Sequence, residues 1–417
     1  MRFEDAKLAR LIKDNLKASG FKRPTDIQFK AIPAIMKGED VLAIAQTGTG
    51  KTAAFAIPVL DILQRNPPRN RREGSVRCLV MCPTHELAIQ IRQVFDQIGA
   101  GLGIRTLAIF GGADQEMQVG TLKRGVDVLV ATPGRMFDLR HQGHLWLGAT
   151  EILILDEADH MLDLGFIDDI RDLMRYIPRQ RQTLFFSATI SDTIKKLAYS
   201  LVHSHAIRIQ ISPDDRVSKN VSHAVTFVEM DDKRFFLERM LQEHPECKIL
   251  VFVRTKVRAE RVVAAMERVG ISSMAIHGGK DQKTRSETLD AFRAGAIKVL
   301  VATDVSARGI DIPNVDYVVN YDLPEVAENY VHRVGRTGRG VAKGIAISFC
   351  SQEEKPQLAA ITEYLGKEIE VLGLGKVMYR ETLEASKANP NDWRTLMSEV
   401  EASLLRKKKH KGKAHKG

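Results

Sequence analysis

Short runs of apolar residues alternate with longer amphipathic stretches along the first half of this chain. The runs cover residues 41–44, 76–81, 107–110, 126–131, 152–155 and 183–186. Apolar runs of this length predict buried β-strands, and the amphipathic stretches between them predict helices. Strands that alternate with helices favour a parallel sheet covered on both faces. The pattern therefore predicts an α/β fold.

The same pattern occurs a second time after a polar segment at residues 212–220, with apolar runs at 249–253, 274–277, 299–302 and 317–320. The halves also repeat a sequence. Gly111-Gly112 precedes Val-Leu-Val-Ala-Thr at 128–132, and Gly278-Gly279 precedes the same residues at 299–303. We therefore predict two related lobes that present equivalent strand-end loops to one ligand. The expected organisation is a first domain at 1–211, a linker at 212–220, a second domain at 221–370 and an extension at 371–417.

Composition sets broad limits. The chain has 417 residues, 44% hydrophobic and 27% charged, as expected for a globular protein with two full cores. No apolar run approaches the roughly 20 residues that cross a bilayer, and the N-terminus lacks an apolar signal segment. We expect a soluble cytoplasmic protein without a membrane partner. Four cysteines are too few for a disulfide framework, and we expect all of them to be reduced.

The net charge of +10 is concentrated at the C-terminal end, where residues 406–417 contain seven Lys and Arg and no acid. Like charges in such a block repel one another, which predicts a flexible basic tail available to a polyanion. The alternative is a solubilising end without a specific partner. We expect deletion of 406–417 to weaken binding of the polyanion and lower the salt dependence of that binding if the tail contacts phosphates.

A phosphate-binding loop follows the first predicted strand. Residues 45–52 read Ala45-Gln46-Thr47-Gly48-Thr49-Gly50-Lys51-Thr52 and lead into a predicted helix through Ala53 and Phe55. Glycines allow backbone N–H groups to approach phosphate, and the helix N-terminus favours its negative charge. Lys51 can reach the β- and γ-phosphates, and Thr52 can offer its hydroxyl to Mg²⁺. This context predicts a nucleoside triphosphate and Mg²⁺ as ligands.

Two carboxylates follow the apolar run 152–155. Asp156 is placed to hold Mg²⁺, and Glu157 is placed to polarise the water that attacks the γ-phosphate. A surface cluster of acids would have polar flanks, whereas four consecutive apolar residues precede this pair. The sequence therefore predicts a nucleoside-triphosphate hydrolase.

The phosphate loop and Asp156-Glu157-Ala158-Asp159 together resemble the signatures of DEAD-box ATP-dependent RNA helicases, in which Ala at position 45 is ordinary. Other segments match in the family's order, and the resemblance extends from residue 3 to about 370. They are Phe21, Gln28, Pro83-Thr84-His85-Glu86-Leu87-Ala88, Gly111-Gly112, Thr132-Pro133-Gly134-Arg135, Ser187-Ala188-Thr189, Val251-Phe252-Val253, Gln282, Arg285, residues 302–311 and residues 332–339.

The resemblance implies two tandem RecA-like domains, with ATP held in the first and completed by the second. The implied ATP-binding residues are Phe21, Gln28, Ala45, Gln46, Thr47, Gly48, Thr49, Gly50, Lys51, Thr52 and Asp311. The implied catalytic residues are Lys51, Asp156, Glu157, Ser187, Thr189, His332, Arg336 and Arg339. Of these, Arg336 and Arg339 are implied arginine fingers; their spacing of three also predicts that they share one helical face. The alternative for Arg333, Arg336 and Arg339 is a solvated basic helix face.

The resemblance further implies sequence-independent contacts with the RNA backbone. The implied RNA-binding residues are Thr84, His85, Gly112, Thr132, Gly134, Arg135, Arg254, Gly278, Gln282, Arg285, Thr303 and Asp304. His85 departs from the family, which usually has Arg there. A neutral imidazole lacks the permanent charge of Arg, so we expect weaker RNA binding that strengthens as the pH falls toward about 6.5.

Three functions are compatible with these segments. An RNA-dependent ATPase that locally separates short duplexes explains all of them. A nucleotide-gated RNA clamp with little turnover, or a ribonucleoprotein remodeller, is the second reading, and a DNA translocase is the third. Glu157 argues against an inert clamp, and Gln28 with the Asp156–Asp159 box argues against a translocase. The short core and basic tail resemble bacterial members of the RhlE type, with RNA-decay or ribonucleoprotein partners expected by analogy.

Overall fold

A computed structural model describes residues 2–46, 48–67, 72–203, 205–211, 217, 220–304, 315–338, 343–373 and 375–387. The described residues form two compact units, the first up to Ile211 and the second from Val217. The basic tail, most of the predicted linker, Thr47, Asp311 and Arg339 lie outside the described residues.

The first unit is a seven-stranded sheet with helices between its strands. Its strands are β1 (Val41–Ala45), β2 (Cys78–Met81), β3 (Thr106–Ile109), β4 (Val128–Ala131), β5 (Ile152–Leu155), β6 (Gln182–Ser187) and β7 (Ile207–Ile211). Its helices are α1 (Arg10–Ala18), α2 (Asp26–Met36), α3 (Lys51–Arg65), α4 (His85–Ile98), α5 (Gln115–Lys123), α6 (Pro133–His141), α7 (Ala158–Asp163), α8 (Ile167–Leu173) and α9 (Asp192–Leu201).

All strand pairs of this sheet are parallel, in the order β3-β4-β2-β5-β6-β1-β7. Alternate residues of one strand enter different cores: Val41 and Ala43 pack on one face, whereas Leu42 and Ile44 pack on the other. This alternation explains the continuous apolar runs, because both faces of each central strand are buried. The carboxyl ends of all seven strands consequently lie along the same edge of the sheet.

The second unit repeats this architecture. Its strands are β8 (Val221–Phe227), β9 (Ile249–Phe252), β10 (Ser273–Ile276), β11 (Val299–Ala302), β12 (Tyr317–Asn320), β13 (Gly344–Cys350) and β14 (Glu370–Val371). Its described helices are α10 (Lys233–Glu243), α11 (Lys256–Arg268), α12 (Gln282–Ala294), α13 (Ala327–Val334), α14 (Lys355–Leu365) and α15 (Lys376–Lys387). The pairs are again parallel, in the order β10-β11-β9-β12-β13-β8-β14.

The two sheets have the same strand order when their strands are matched in sequence. The match extends to hydrogen bonds: Thr132 donates its backbone N–H to Ile109 across the β4–β3 pair, and Thr303 donates to Ile276 across the β11–β10 pair. These distances are 3.2 and 3.4 Å. The predicted α/β class with parallel sheets is confirmed, and the repeated Val-Leu-Val-Ala-Thr sequence occupies equivalent strands, β4 and β11.

Four strands were not predicted, namely β7, β8, β13 and β14. Polar residues interrupt their apolar pattern, and tertiary contacts satisfy two of these residues. Asn320 donates to the Ser348 hydroxyl at 3.0 Å, and the Thr226 hydroxyl donates to the Leu372 carbonyl at 2.9 Å. The sequence predicted the second domain to end at residue 370. This boundary falls inside β14, which consists of residues 370 and 371. Helix α15 continues this unit and packs on α10, where Tyr379 lies 4.9 Å from the Phe236 ring centroid.

Two further expectations concern cysteines and membranes. All four cysteines are free thiols, and burial raises the pKa of Cys78 and Cys82 above the ordinary value. Among the helices that the structure describes, none has the length and apolar character to cross a bilayer.

Candidate ATPase site and nucleic-acid interface

The phosphate loop joins β1 to α3, as predicted. Gly48 and Gly50 have φ angles of +80° and +88°, which favour glycine. Gly50 is the N-cap of α3, and a Cβ atom on it would lie 2.5 Å from Gln28 Nε2. The backbone conformation therefore favours glycine at position 50, and a Cβ atom there would also displace the Gln28 amide. Thr52 is half-buried in the first turn of the helix.

Gln28 links helix α2 to this loop. Its Oε1 accepts from the Thr25 backbone N–H at 3.0 Å, and its Nε2 donates to the Gly50 carbonyl at 3.2 Å. The Thr25 hydroxyl donates to the Thr49 carbonyl at 2.8 Å. An amide has two N–H donors and two acceptor lone pairs, so Gln28 can make these bonds and keep one of each for a base. Phe21 packs edge-to-face on Phe3, with ring centroids 6.3 Å apart.

Lys51 and Asp156 form the charged centre of the site. The Lys51 side chain is buried, and its Nζ has no hydrogen-bond partner among the described residues. Asp156 follows β5 and is 2% exposed. Burial raises its pKa to about 6; Lys51 opposes this shift, and Glu157 adds to it. A buried ammonium group without a hydrogen-bond partner beside a buried carboxylate suits phosphate and a divalent cation.

Glu157 has a strained backbone. Its φ and ψ angles are 51° and 49°, and it is the only non-glycine residue with positive φ in the described part of the chain. Such a conformation costs on the order of 1 kcal/mol and concentrates at functional sites. The Glu157 Oε2 lies 3.5 Å from the Nδ1 of His160, one turn further along α7.

Asp159 connects the Asp156–Asp159 box to the segment after β6. Its Oδ2 accepts from the backbone nitrogens of Ala188 and Thr189 and from the Thr189 hydroxyl, at 3.1, 2.9 and 3.1 Å. Its Oδ1 accepts from the His160 backbone N–H at 3.1 Å. Ser187 ends β6 fully buried, and its hydroxyl has no hydrogen-bond partner among the described residues.

The predicted RNA-binding residues of the first unit follow three adjacent strands, β3, β4 and β2. Gly112 follows β3, Thr132 follows β4, and Thr84 follows β2. Both threonines are N-caps: Thr84 accepts from the Leu87 N–H at 3.3 Å, and Thr132 precedes Pro133 at the start of α6. Backbone N–H groups at helix N-termini favour anions.

Two basic residues flank these threonines. His85 is the first residue of α4 and stacks on Phe110, with ring centroids 5.2 Å apart. Arg135 in α6 donates to Gln118 Oε1 at 3.0 Å and to the Ala113 carbonyl at 3.3 Å, which joins α6 to the loop after β3. Gly134 beside it is exposed.

Two predicted RNA-binding residues of the second unit, Thr303 and Asp304, follow β11. The Asp304 carboxylate accepts from Arg333 Nε at 2.5 Å and Nη2 at 2.7 Å. Arg333 is 2% exposed and also donates to the Asp322 carbonyl at 2.6 Å. The alternative of a solvated basic face is therefore excluded for Arg333, which is buried and ion-paired.

The loop after β10 contains Gly278 and leads into α12, where Gln282 and Arg285 lie in the first turn. His277 holds this loop: its Nδ1 accepts from the Gly279 N–H at 3.1 Å, so its Nε2 donates to Glu260 at 2.8 Å. Lys280 also pairs with Glu260, at 2.6 Å.

The remaining predicted residues lie near the end of α13. The helix ends at Val334, with Gly335 as C-cap, so Arg336 lies beyond it. The prediction that Arg336 shares a helical face with Arg339 is therefore wrong, because the helix stops before it. Arg336 is 4% exposed, and its Nε donates to the carbonyl of His332 at 3.2 Å.

Several residues of these sites were missed at the sequence level. Asp159 belongs to the Asp156–Asp159 box, but no role was predicted for it. Its membership of that box is the only feature of the sequence that marks it. Glu354 and Asp322 contact Arg254 in the second unit, Lys233 contacts Glu354, and no local pattern marks these three residues. Their partners lie about 70 to 120 positions away in sequence, so only the fold brings them together.

Comparison with known proteins agrees with this geometry. The DEAD/DEAH box helicase family matches residues 25–197, and the helicase conserved C-terminal domain matches residues 232–341. The ATP-dependent RNA helicase RhlB of Shewanella amazonensis is 39% identical over 89% of this chain and 85% of its own length. The DEAD-box ATP-dependent RNA helicase CshA of Geobacillus kaustophilus is 39% identical over 88% of this chain and 77% of its own.

Two solved structures of proteins bound to RNA are also similar to this chain over most of its length. Saccharomyces cerevisiae Dbp5 bound to RNA and ADP BeF3 has a TM-score of 0.79 and 30% identity, covering 93% of this chain and 99% of its own. Mss116p bound to ssRNA and AMP-PNP has a TM-score of 0.83 and 25% identity, covering 97% and 85%. The two bacterial relatives are named RhlB and CshA, so the RhlE type stays a prediction. This chain belongs to the DEAD-box family of ATP-dependent RNA helicases.

Proposed function

We propose that the chain hydrolyses ATP at one part of the carboxyl edge of its first sheet, in response to RNA bound along the adjacent part. One observation carries this proposal. In the first unit, Lys51 and Thr52 follow β1, Asp156 and Glu157 follow β5 and Thr189 follows β6, whereas the predicted RNA residues follow β3, β4 and β2. Because β2 and β5 are neighbours in the sheet, the two groups adjoin without overlapping.

The residues of the first group suit a phosphate and Mg²⁺ site. Lys51 offers a buried Nζ without a described partner, and Asp156 offers a buried carboxylate. We propose that Thr52 and Asp156 hold Mg²⁺, partly through water, which when bound would neutralise charge on the γ-phosphate. Lys51 would hold the phosphates, and Glu157 would orient the attacking water. Gln28 would contact adenine with the donor and acceptor that its protein bonds leave available.

The second unit would supply arginine fingers. By family resemblance, Arg336 and Arg339 act on the γ-phosphate, Asp311 contacts the ribose, and His332 joins the same network. An arginine finger typically contributes on the order of 10³ to 10⁵ in rate. Turnover would therefore stay low until RNA engages residues of both units. Ser187 and Thr189 would couple RNA binding to hydrolysis. The Thr189 backbone N–H donates to Asp159, which lies two residues after Glu157.

RNA would be held by its backbone, without base readout, and the 2′-hydroxyl would provide preference over DNA. We propose that such binding locally separates short duplexes. A clamp with little turnover is the second candidate. The strained backbone of Glu157 argues against it, since such a conformation is typically retained where the side chain has a function, here the activation of water. A cytoplasmic location and RNA-decay or ribonucleoprotein partners complete the proposal.

The test measures ATP hydrolysis by the purified full chain without nucleic acid, with single-stranded RNA and with single-stranded DNA. Strand separation is measured in parallel on a short RNA duplex and a forked DNA duplex. We expect RNA to raise the rate at least tenfold over DNA, and only the RNA duplex to be separated. Lys51→Ala is the inactive control. RNA binding that requires ATP but gives no turnover would favour the clamp, and separation of the DNA fork would favour a translocase.

A further inference from the structure

Glu354 is a buried carboxylate at the carboxyl edge of the second sheet. It ends the short 3-10 turn Gln352–Glu354 that follows β13, and it is 1% exposed. Four donors surround it. Its Oε1 accepts from the Leu323 N–H at 3.1 Å and from Arg254 Nη2 at 3.2 Å, and its Oε2 accepts from the Ser351 N–H at 3.1 Å and from Lys233 Nζ.

Lys233 neutralises this carboxylate inside the unit. Its side chain is fully buried, and its Nζ also donates to the Tyr321 carbonyl at 2.7 Å. Burial lowers the pKa of Lys233, and Glu354 opposes that shift. Lys233 occupies only one oxygen of Glu354. The other oxygen is directed at Arg254.

Arg254 is partly accessible, unlike Glu354 and Lys233. It lies two residues after β9, its side chain is 35% exposed, and its backbone N–H donates to Asp322 Oδ2 at 2.9 Å. A second carboxylate, Glu325, lies 3.8 Å from Arg254 Nε but is 72% exposed. Exposed ion pairs of this kind contribute little, whereas a buried, hydrogen-bonded carboxylate fixes a guanidinium in one orientation.

We infer that Glu354 is a positioning residue for RNA binding: it holds the Arg254 guanidinium at the RNA-facing edge, and Lys233 serves as its buried counterion. The inference rests on the proposed function, in which Arg254 contacts the RNA backbone. Without this partner, an arginine side chain samples many rotamers and must lose that freedom when it meets a phosphate. Because Glu354 already holds Arg254 in one orientation, this loss of rotamer freedom occurs on folding and not on RNA binding.

The decisive variant is Glu354→Gln. A carboxylate accepts on both oxygens, whereas an amide accepts on one side and donates on the other. The charged Lys233 retains the amide oxygen, so the amide N–H₂ then faces Leu323 N–H and Arg254, and Arg254 is released. We expect half-saturation by RNA to need about three to ten times more RNA, an effect of the size expected for the loss of one ordinary hydrogen bond. Turnover at saturating RNA should stay within about twofold of the unmodified chain.

Glu325→Gln is the matched control, since it neutralises the exposed carboxylate near the same arginine. It should leave RNA affinity unchanged. The slope of log affinity against log salt gives a second readout, because loss of one phosphate contact on a single strand lowers it by about 0.7. Arg254→Ala and Glu354→Gln should both lower it, and the double variant should be no worse than Arg254→Ala alone.

A purely structural role would produce a different result. Lys233→Met/Glu354→Leu removes both buried charges and leaves no acceptor for Arg254, so it separates loss of folding from loss of positioning, with thermal unfolding as the check. This pair should show the same RNA defect. RNA affinity in Glu354→Gln equal to that of the unmodified chain, an undiminished defect in the Arg254→Ala background, or normal binding by Arg254→Ala would each overturn the inference. Failure of RNA to stimulate the unmodified chain would instead overturn the proposed function.

Discussion

Asp159 Oδ2 accepts hydrogen bonds from both the backbone nitrogen and the hydroxyl of Thr189, at 2.9 and 3.1 Å. Asp159 lies in the first turn of α7, which begins directly after Asp156 and Glu157, and Thr189 lies in the loop after β6 at the same edge of the sheet. A displacement of that loop therefore strains its bonds to the segment that contains Asp156 and Glu157. This contact provides a physical connection between the two segments.

Asp159→Asn should break this connection. An amide can accept from the Thr189 side or from the His160 N–H, but not from both, so one buried N–H loses its acceptor. We expect RNA-stimulated turnover to fall at least tenfold while ATP and RNA binding persist. Thr189→Val, which removes only the hydroxyl donor, should cost about threefold or less. Steady-state turnover and binding by fluorescence check both, and normal turnover in Asp159→Asn would contradict the prediction.

Glu157→Gln should keep ATP and RNA binding but nearly abolish turnover. The side chain keeps its size but loses the carboxylate that orients water. Gln can adopt the left-handed backbone of position 157 as readily as Glu, so the loop should be retained. We expect the variant to accumulate in its RNA-bound state with ATP, measured by RNA retention during native electrophoresis. Hydrolysis at the normal rate would refute the role assigned to Glu157.

Gln28→Ala should relax the preference for adenine and weaken binding of every nucleotide. The first effect follows from the loss of the amide donor and acceptor, and the second from the loss of the bond to the Gly50 carbonyl. Thr25→Val is the matched control, because it removes the contact with Thr49 but keeps the amide. Competition between ATP and GTP measures selectivity. The assignment of Gln28 fails if the Ala variant discriminates as well as the unmodified chain.

Asp156→Asn should stabilise the nucleotide-free chain while it removes ATPase activity. Burial raises the pKa of Asp156 to about 6, above its ordinary value of 3.8, so the folded state binds the proton more tightly than the unfolded state. Stability is consequently lost as the pH rises from about 4 to 6 and stays lower above 6. This cost is on the order of 2–3 kcal/mol at pH 7.5.

Thermal unfolding in the presence of a metal chelator measures this effect. The gain in melting temperature of Asp156→Asn over the unmodified chain should be larger at pH 7.5 than at pH 4.5. An equal difference at both pH values would show that the carboxylate is not destabilising in the folded state.

His85→Arg should tighten RNA binding and flatten its dependence on pH. His85 begins α4 beside the Thr84 cap, where protonation of its imidazole would add a positive charge to the predicted RNA edge. Arg has that charge at every pH from 6 to 8, so its affinity should stay constant across this range. Anisotropy of labelled single-stranded RNA measures both proteins. Affinity identical to that of His85 throughout this range would reject the hypothesis.

The sequence by itself determined the strands of both sheets that are continuously apolar, the phosphate loop and the acids after β5. These features are local. A run such as Ile152–Leu155 is apolar because both faces of the strand are covered, and Lys51 follows a loop whose glycines set its conformation. The strands with polar interruptions were not found. β13 contains Ser348, which becomes acceptable in a buried strand only through its bond to Asn320 on β12.

Only the tertiary structure decided which loops meet. The strand order places β5, β6 and β1 together and thereby brings Asp156, Thr189 and Lys51 to one part of the edge. For Arg336 the local pattern was misleading. Its spacing of three from Arg339 predicted a shared helical face, but the helix ends at Val334, with Gly335 as its C-cap. Glu354 acquires a role only because folding brings Lys233 and Arg254 to it from 121 and 100 positions away. Such contacts follow from the order in which strands enter a sheet, and the local periodicity of a chain contains no information about that order.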